Sequence, residues 1–247
     1  MVKQVAAVRY YIGTSGWHYD HWRDEFYPKG MAKSRWLEFY SRHFSTVELN
    51  NSFYHLPSEK AFINWRDSSP PEFMFSVKVS RFITHIKRLR NTDEPVANFV
   101  ARVRFLGRKL GPLLYQLPQN MKCDNQVLED FMKMLPEDAC HVFEFRHSSW
   151  FDEGVFDLLR RYNVGFCIYD VPGFSTPIMA TSDFAYIRFH GSRWLYSSCY
   201  SDKELESWAR KIMELRVRVV YAYFNNDAEG FAIRNALMLK HLLEVSS

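Results

Sequence analysis

Tyr186-Ile187-Arg188-Phe189-His190 reads as a strand whose apolar run is interrupted by Arg188 and His190 near its end. Side chains alternate along a strand, so residues two apart share a face and Arg188 and His190 point the same way. The same form recurs along the chain. Val47-Glu48-Leu49-Asn50, Phe75-Ser76-Val77-Lys78, Leu113-Leu114-Tyr115-Gln116 and Val142-Phe143-Glu144-Phe145-Arg146 all end in charged or amide residues. Phe166-Cys167-Ile168-Tyr169-Asp170 and Val220-Tyr221-Ala222-Tyr223-Phe224-Asn225-Asn226-Asp227 follow suit. A buried unpaired charge is expensive. One polar site shared at one end of a parallel sheet explains all of these endings together.

Between the strands lie amphipathic helical stretches. Leu37, Tyr40 and Phe44 follow Ser34, read as an N-cap; Ala61, Phe62 and Trp65 follow Pro57-Ser58. Val96, Phe99, Val100, Val103, Leu106 and Leu110 form a longer apolar stripe that Gly111-Pro112 closes. Further helices are expected near 127–135, 153–161, 202–215 and 230–243. The connection through Pro172, Gly173 and Pro177 is too short and broken for a full helix. Eight strands alternating with helices in 247 residues predict an α/β fold, a single (β/α)8 TIM barrel with a reduced or missing helix between strands six and seven. An open doubly wound sheet should carry a G-x-G-x-x-G turn after its first strand, which Gly13-Thr14-Ser15-Gly16 does not provide. No linker rich in Gly, Pro or Ser divides the chain, so residues 1–247 are expected to form one domain.

The composition, 47% hydrophobic and 24% charged, is that of a soluble globular protein, and the net charge of +4 permits an anionic ligand without demanding nucleic acid. Met1 to Arg9 lack a signal-peptide apolar stretch, and no run is long enough to span a bilayer. Cys123, Cys140, Cys167 and Cys199 form no Cys-x-x-Cys pair. A reduced, cytoplasmic protein without membrane partners is expected; the oligomeric state is left open.

In a barrel the strand C-termini line one mouth, where active sites of this fold sit. Glu48, Asn50, Lys78, Gln116, Glu144, Arg146, Asp170, Arg188, His190, Asn225 and Asp227 would form an inward ring there. Carboxylates with pKa values pushed apart are suited to acid/base work, which assigns catalysis to Glu144, Asp170 and Glu48 together with Lys78. The basic members would hold a phosphate or carboxylate, the arginines by bidentate forks. Lys78 has a second use as an imine-forming amine, though anion binding is the commoner role beside two arginines. Asn50, Gln116, Arg146, Arg188, His190, Asn225 and Asp227 would bind substrate, with Trp17 and Tyr54 as stacking surfaces from the first two mouth loops. The opposing reading is a plug of buried salt bridges across the barrel top. Glu48, Glu144, Asp170 and His190 have the chemistry for Mg²⁺ or Mn²⁺, but three cations in the ring disfavour a divalent ion, and no organic cofactor motif is present. The basic run Arg81, Lys87, Arg88, Arg90, Arg102, Arg104, Arg108 and Lys109 reads first as a solvated surface and second as a nucleic-acid face.

Ile12-Gly13-Thr14-Ser15-Gly16-Trp17, Phe26-Tyr27-Pro28 and Phe44-Ser45-Thr46-Val47-Glu48-Leu49-Asn50-Asn51-Ser52-Phe53-Tyr54 resemble the family called domain of unknown function 72, or YecE-like. The resemblance continues through Phe75-Ser76-Val77-Lys78, Thr84-His85, Gln116-Leu117-Pro118 and Glu144-Phe145-Arg146-His147-Ser148-Ser149-Trp150. It ends with Tyr186 to Gly191 and Tyr223 to Asp227, so it covers essentially the whole chain in order. It departs at Arg23-Asp24-Glu25, where a glycine is expected, and at Gln119, where a second proline is. The resemblance implies a (β/α)8 barrel and supplies no activity. The functional expectation is an enzyme acting on a phosphorylated or otherwise anionic substrate such as a nucleotide, nucleic acid or sugar phosphate. The alternative is a non-catalytic nucleotide or nucleic-acid binder.

Overall fold

The structure, a computed structural model, describes residues 8–245. The N-terminal reading above falls mostly on residues outside that range. The described strands are β1 (Arg9–Thr14), β2 (Thr46–Leu49), β3 (Met74–Lys78), β4 (Leu110–Gln116), β5 (His141–Glu144), β6 (Gly165–Val171), β7 (Phe174–Ser175), β8 (Phe184–Phe189) and β9 (Val219–Phe224). The helices are α1 (Trp36–Tyr40), α2 (Glu59–Asp67), α3 (Asp93–Val103), α4 (Asn125–Lys133), α5 (Glu153–Arg161), α6 (Asp202–Met213) and α7 (Phe231–Val245). Parallel pairing runs β2-β3-β4-β5-β6-β8-β9-β1, the TIM-barrel order. The two-residue β7 folds back antiparallel on β6 and replaces the helix that would join β6 to β8, as Pro172, Gly173 and Pro177 imply.

Alternation gives each strand two faces. Outward residues such as Val47, Phe75, Phe143, Phe166, Ile187 and Ala222 pack with the helices into the main core. Inside, Tyr11, Leu114, Val142, Cys167, Phe184, Tyr186, Tyr221 and Tyr223 fill the lower barrel, with Tyr11 stacked on Tyr221 at 5.0 Å. Aromatic rings fill the barrel centre because large flat side chains bury much area for little lost rotamer freedom.

The ring of ladders is interrupted once, between β1 and β2. The Tyr40 hydroxyl, delivered by α1, occupies this seam. It receives the Thr14 N–H at 3.0 Å and donates to the Thr46 carbonyl at 3.1 Å, with the Thr14 hydroxyl 2.9 Å away. One side chain thus satisfies a backbone donor on one strand and an acceptor on the other. Gly13 permits the approach, because a Cβ there would overlap the Thr46 carbonyl oxygen.

Two local expectations are corrected. Leu110, Gly111 and Pro112 do not end a helix; they open β4. Gly107, at φ 58°, terminates the helical run earlier. The register then shifts between Phe75 and Val77 opposite these residues, a bulge that accommodates a proline lacking an N–H. Ser34 does not cap α1; it lies inside a single 3-10 turn that precedes it.

Candidate functional site at the barrel mouth

Strand alternation sends Glu48, Glu144 and Arg188 inward just above the tyrosine layer, and all three are buried. The Arg188 guanidinium forks onto Glu48, donating from Nε at 3.0 Å and from Nη2 at 2.8 Å, and its Nη1 donates to Glu144 at 2.6 Å. Glu48 also accepts from Ser15 at 2.8 Å, Tyr186 at 2.7 Å and Asn50 at 3.1 Å. Glu144 also accepts from Gln116 at 2.6 Å and from the Arg146 fork. Both oxygens of each carboxylate are therefore engaged. Burial works to raise the Glu144 pKa, but the charges of Arg146 and Arg188 hold it well below the ordinary range. Glu48 is held low against the same burial by Arg188, Tyr186 and Ser15. The expectation of carboxylates pushed apart for acid/base work is not met here, because each is saturated with donors that favour its ionised form.

His190 is fully buried. Burial, reinforced by Arg188 and opposed by Glu144, pushes its pKa well down, so the ring is neutral. The Arg146 guanidinium lies 3.2 Å from Nε2, where it can only donate. The Asn225 amide nitrogen, Nδ2, lies 3.2 Å from Nδ1. Arg146 also lies over the Tyr169 ring at 4.5 Å.

Lys78 stands apart from this chain of bonds. Its Nζ sits 4.1 Å over the Phe53 ring and makes no hydrogen bond or ion pair to any described residue. Burial, then the Arg188 charge, pushes its pKa down to about 8 against the pull of Glu144 and Glu48. It opens onto a cavity of about 320 Å³ lined by Phe53, Tyr54, Arg81, His85, Gln116, Arg188, Tyr196 and Asn225. Arg81, at the end of the β3 extension, is exposed and also has no acidic partner among the described residues. A larger groove of about 750 Å³ shares His85, Gln116 and Tyr196 with the cavity and adds Arg146, Tyr169, Phe174 and Trp194. Trp194 is 71% exposed there.

Two residues read as members of the ring, and one read as a stacking surface, lie elsewhere. Asp170 follows Tyr169, and since Cys167 faces the interior it is Tyr169 that shares that face. Asp170 instead points to the outer wall, where Ser175 of β7 and Tyr200, at 2.7 Å, donate to it. Asp227 sits beside the mouth, receiving the Trp22 indole N–H at 2.9 Å with His21 at the same distance. Burial raises its pKa to about 6 although both partners lower it. Trp17 is not a mouth stacking surface. It is buried, edge-on against Trp65 at 5.5 Å. Tyr54, 65% exposed, does stand at the mouth.

Tyr169, Tyr196 and Trp194 were missed, and Arg81 was read only as the start of a basic surface run. Counting in twos from Cys167 identifies Tyr169, whereas Tyr196 reaches the mouth through a left-handed φ of 62° that nothing in its neighbours announces. Among the described residues no three His, Cys, Asp or Glu side chains converge as a metal site; Glu48 and Glu144 are separated by the Arg188 guanidinium. No described helix is long and apolar enough to cross a membrane.

The pattern of the family described as "Protein of unknown function DUF72" matches residues 11–247. The chain belongs to the DUF72 family. It is 29% identical to the UPF0759 protein YunF of Bacillus subtilis over 95% of both chains. It is 31% identical to YecE of Escherichia coli over 58% of this chain and 51% of the relative. A solved DUF72 family protein from Thermotoga maritima superposes with a TM-score of 0.87 at 32% identity, covering 96% of this chain and 99% of that one. A xylose isomerase-like TIM barrel within a larger fusion protein matches at TM-score 0.57 and 14% identity, a likeness of fold. The mouth residues Glu48, Lys78, Gln116, Glu144, Arg146, Arg188, His190 and Asn225 all fall within the span matched to DUF72.

Proposed function

We propose that the barrel mouth is the site of an enzyme acting on a small phosphorylated or otherwise anionic substrate, with buried Glu48, Arg188 and Glu144 and half-buried Arg146 as its frame. The observation that carries this is the unpaired Lys78 facing a polar cavity. Two carboxylates against two arginines and one lysine leave the inner cluster with one positive charge, and Arg81 adds another at the rim. An anion entering here meets uncompensated positive charge and the amides of Gln116 and Asn225. The saturated carboxylates rigidify the arginines, and Lys78 remains as the reactive group. Titration calorimetry with inorganic phosphate tests this. Binding is expected to weaken at least about tenfold in Lys78→Met, the scale of one lost charged contact, with the circular-dichroism spectrum unchanged. Undiminished phosphate binding by this variant, or none by the parent protein, refutes the reading.

A second reading is carried by the groove, where exposed Trp194, Tyr196 and Phe174 lie beside the cationic cavity. Such rings stack on bases, so this mouth would hold a nucleotide or a single strand without turning it over. Fluorescence anisotropy with a labelled oligonucleotide checks it: binding should fall steeply with salt and with Trp194→Ala.

A further inference from the structure

We propose that Lys78 is an imine-forming nucleophile and that the mouth takes a phosphorylated aldehyde or ketone, its carbonyl at Lys78 and its phosphate at Arg81. This rests on the reading of the mouth as an anion site and names the substrate class. The geometry sets Lys78 apart from the other mouth cations. Arg146 and Arg188 are tied to carboxylates, whereas the Lys78 amine has only an aromatic face beneath it and the cavity before it. A lysine used only as a counter-charge finds a carboxylate; this one is held away from both Glu48 and Glu144. Arg81 lies three residues on, at the exposed rim of the same cavity, so the two cationic groups line it at different depths. At about 320 Å³ the inner cavity lies at the small end of ligand pockets, roughly 300–1,000 Å³, which favours a short substrate.

The step balances without any further reactant. The Lys78 ammonium releases a proton to solvent and its lone pair attacks the carbonyl carbon, forming the C–N bond. The carbonyl π pair moves to oxygen, which takes up the proton that the attacking nitrogen gives up, leaving a neutral carbinolamine. A second proton on that hydroxyl releases it as water, the nitrogen lone pair forms the C=N bond, and a protonated iminium remains. The net change is one ammonium plus one carbonyl giving one iminium plus one water. Gln116 and Asn225, which line the cavity, are placed to bind the oxygen as it develops charge. Desolvation of the amine supplies the free base that the attack requires.

The test treats the intact protein with glyceraldehyde 3-phosphate and sodium borohydride, then maps the adducts by peptide mass spectrometry. Near neutral pH the free-amine fraction of a lysine at about 8 exceeds that of an ordinary lysine on the order of a hundredfold. A borohydride-dependent adduct on Lys78, formed much faster than on exposed Lys60 and slowed by inorganic phosphate, is the expected result. Lys78→Arg, which keeps the charge, should fold normally and lose that adduct. Labelling of Lys78 no faster than Lys60, or no Lys78 adduct at all, overturns the proposal. The two readings fail separately. Phosphate binding without a Lys78 adduct removes the imine alone, whereas a rapid adduct with unphosphorylated glyceraldehyde and no phosphate binding removes the anion site alone.

Discussion

At the residue scale, burial alone does not decide a side chain's part; what decides is whether burial is matched by partners. Arg188 and Lys78 both end inward-facing runs, yet Arg188 is bonded to two carboxylates and Lys78 to none. Arg188→Leu strands two buried carboxylates, and we expect a loss of about 3–5 kcal/mol of unfolding free energy, measured by urea denaturation. A change below about 1 kcal/mol would show that the ion pairs are not holding the barrel top. Lys78 gives a pH dependence of the opposite kind. Its folded pKa, about 8, lies below the unfolded value of 10.5. Folding therefore pays for a buried charge at neutral pH, and that penalty vanishes as the unfolded amine also loses its proton. Its contribution makes stability rise from pH 8 to 10.5, since the unfolded state binds more protons there. Lys78→Met should flatten that part of the pH profile relative to the parent protein in denaturation experiments.

Among the elements, the seam between β1 and β2 shows how a helix completes a sheet. Tyr40 of α1 bridges Thr14 and Thr46 where no ladder forms. Tyr40→Phe leaves a buried N–H and a carbonyl without this partner. The expected cost is about 1–3 kcal/mol, with faster amide exchange at Thr14 than at Tyr223 of the paired strand, read by hydrogen-exchange mass spectrometry or NMR. Equal protection in both proteins would place the seam's stability elsewhere. The strands and most helices were legible because period-two and period-3.6 patterns are written in the chain itself. The start of β4 was not. Gly111-Pro112 is a helix-stop signal in one dimension, but the bulge opposite Phe75 and Val77 turns the same residues into strand. Likewise Asp170 sits at the end of an apolar run, like the true ring members, and only its parity relative to Cys167 sends it outward.

Across the whole molecule, the polar centre and its aromatic surround belong to one barrel. Distant parts of the chain meet at Glu48, as Ser15, just after β1, and Tyr186 and Arg188 of β8 converge on a single carboxylate. One core of this kind should unfold as a unit. We expect a single denaturation transition, coincident by tryptophan fluorescence and far-ultraviolet circular dichroism, and two separated transitions would instead divide the chain into independent parts. The same convergence sets the acid side of the pH profile. Glu48 and Glu144 are held below their unfolded pKa values, so the stability they contribute is present above the unfolded carboxylate range and is lost as pH falls through their folded values.

The sequence by itself determined the barrel, the missing helix after β6 and the strand ends that carry Glu48, Lys78, Gln116, Glu144, Arg146, Arg188, His190 and Asn225. These follow from local alternation and spacing, which need no knowledge of distant residues. Tertiary structure decided which of them are partners and which are free. Whether a carboxylate is an acid, a base or an anchor depends on donors reaching it from across the barrel, and no local pattern records those. Only the closed barrel brings Arg188 between Glu48 and Glu144 and leaves Lys78, over Phe53, facing the cavity.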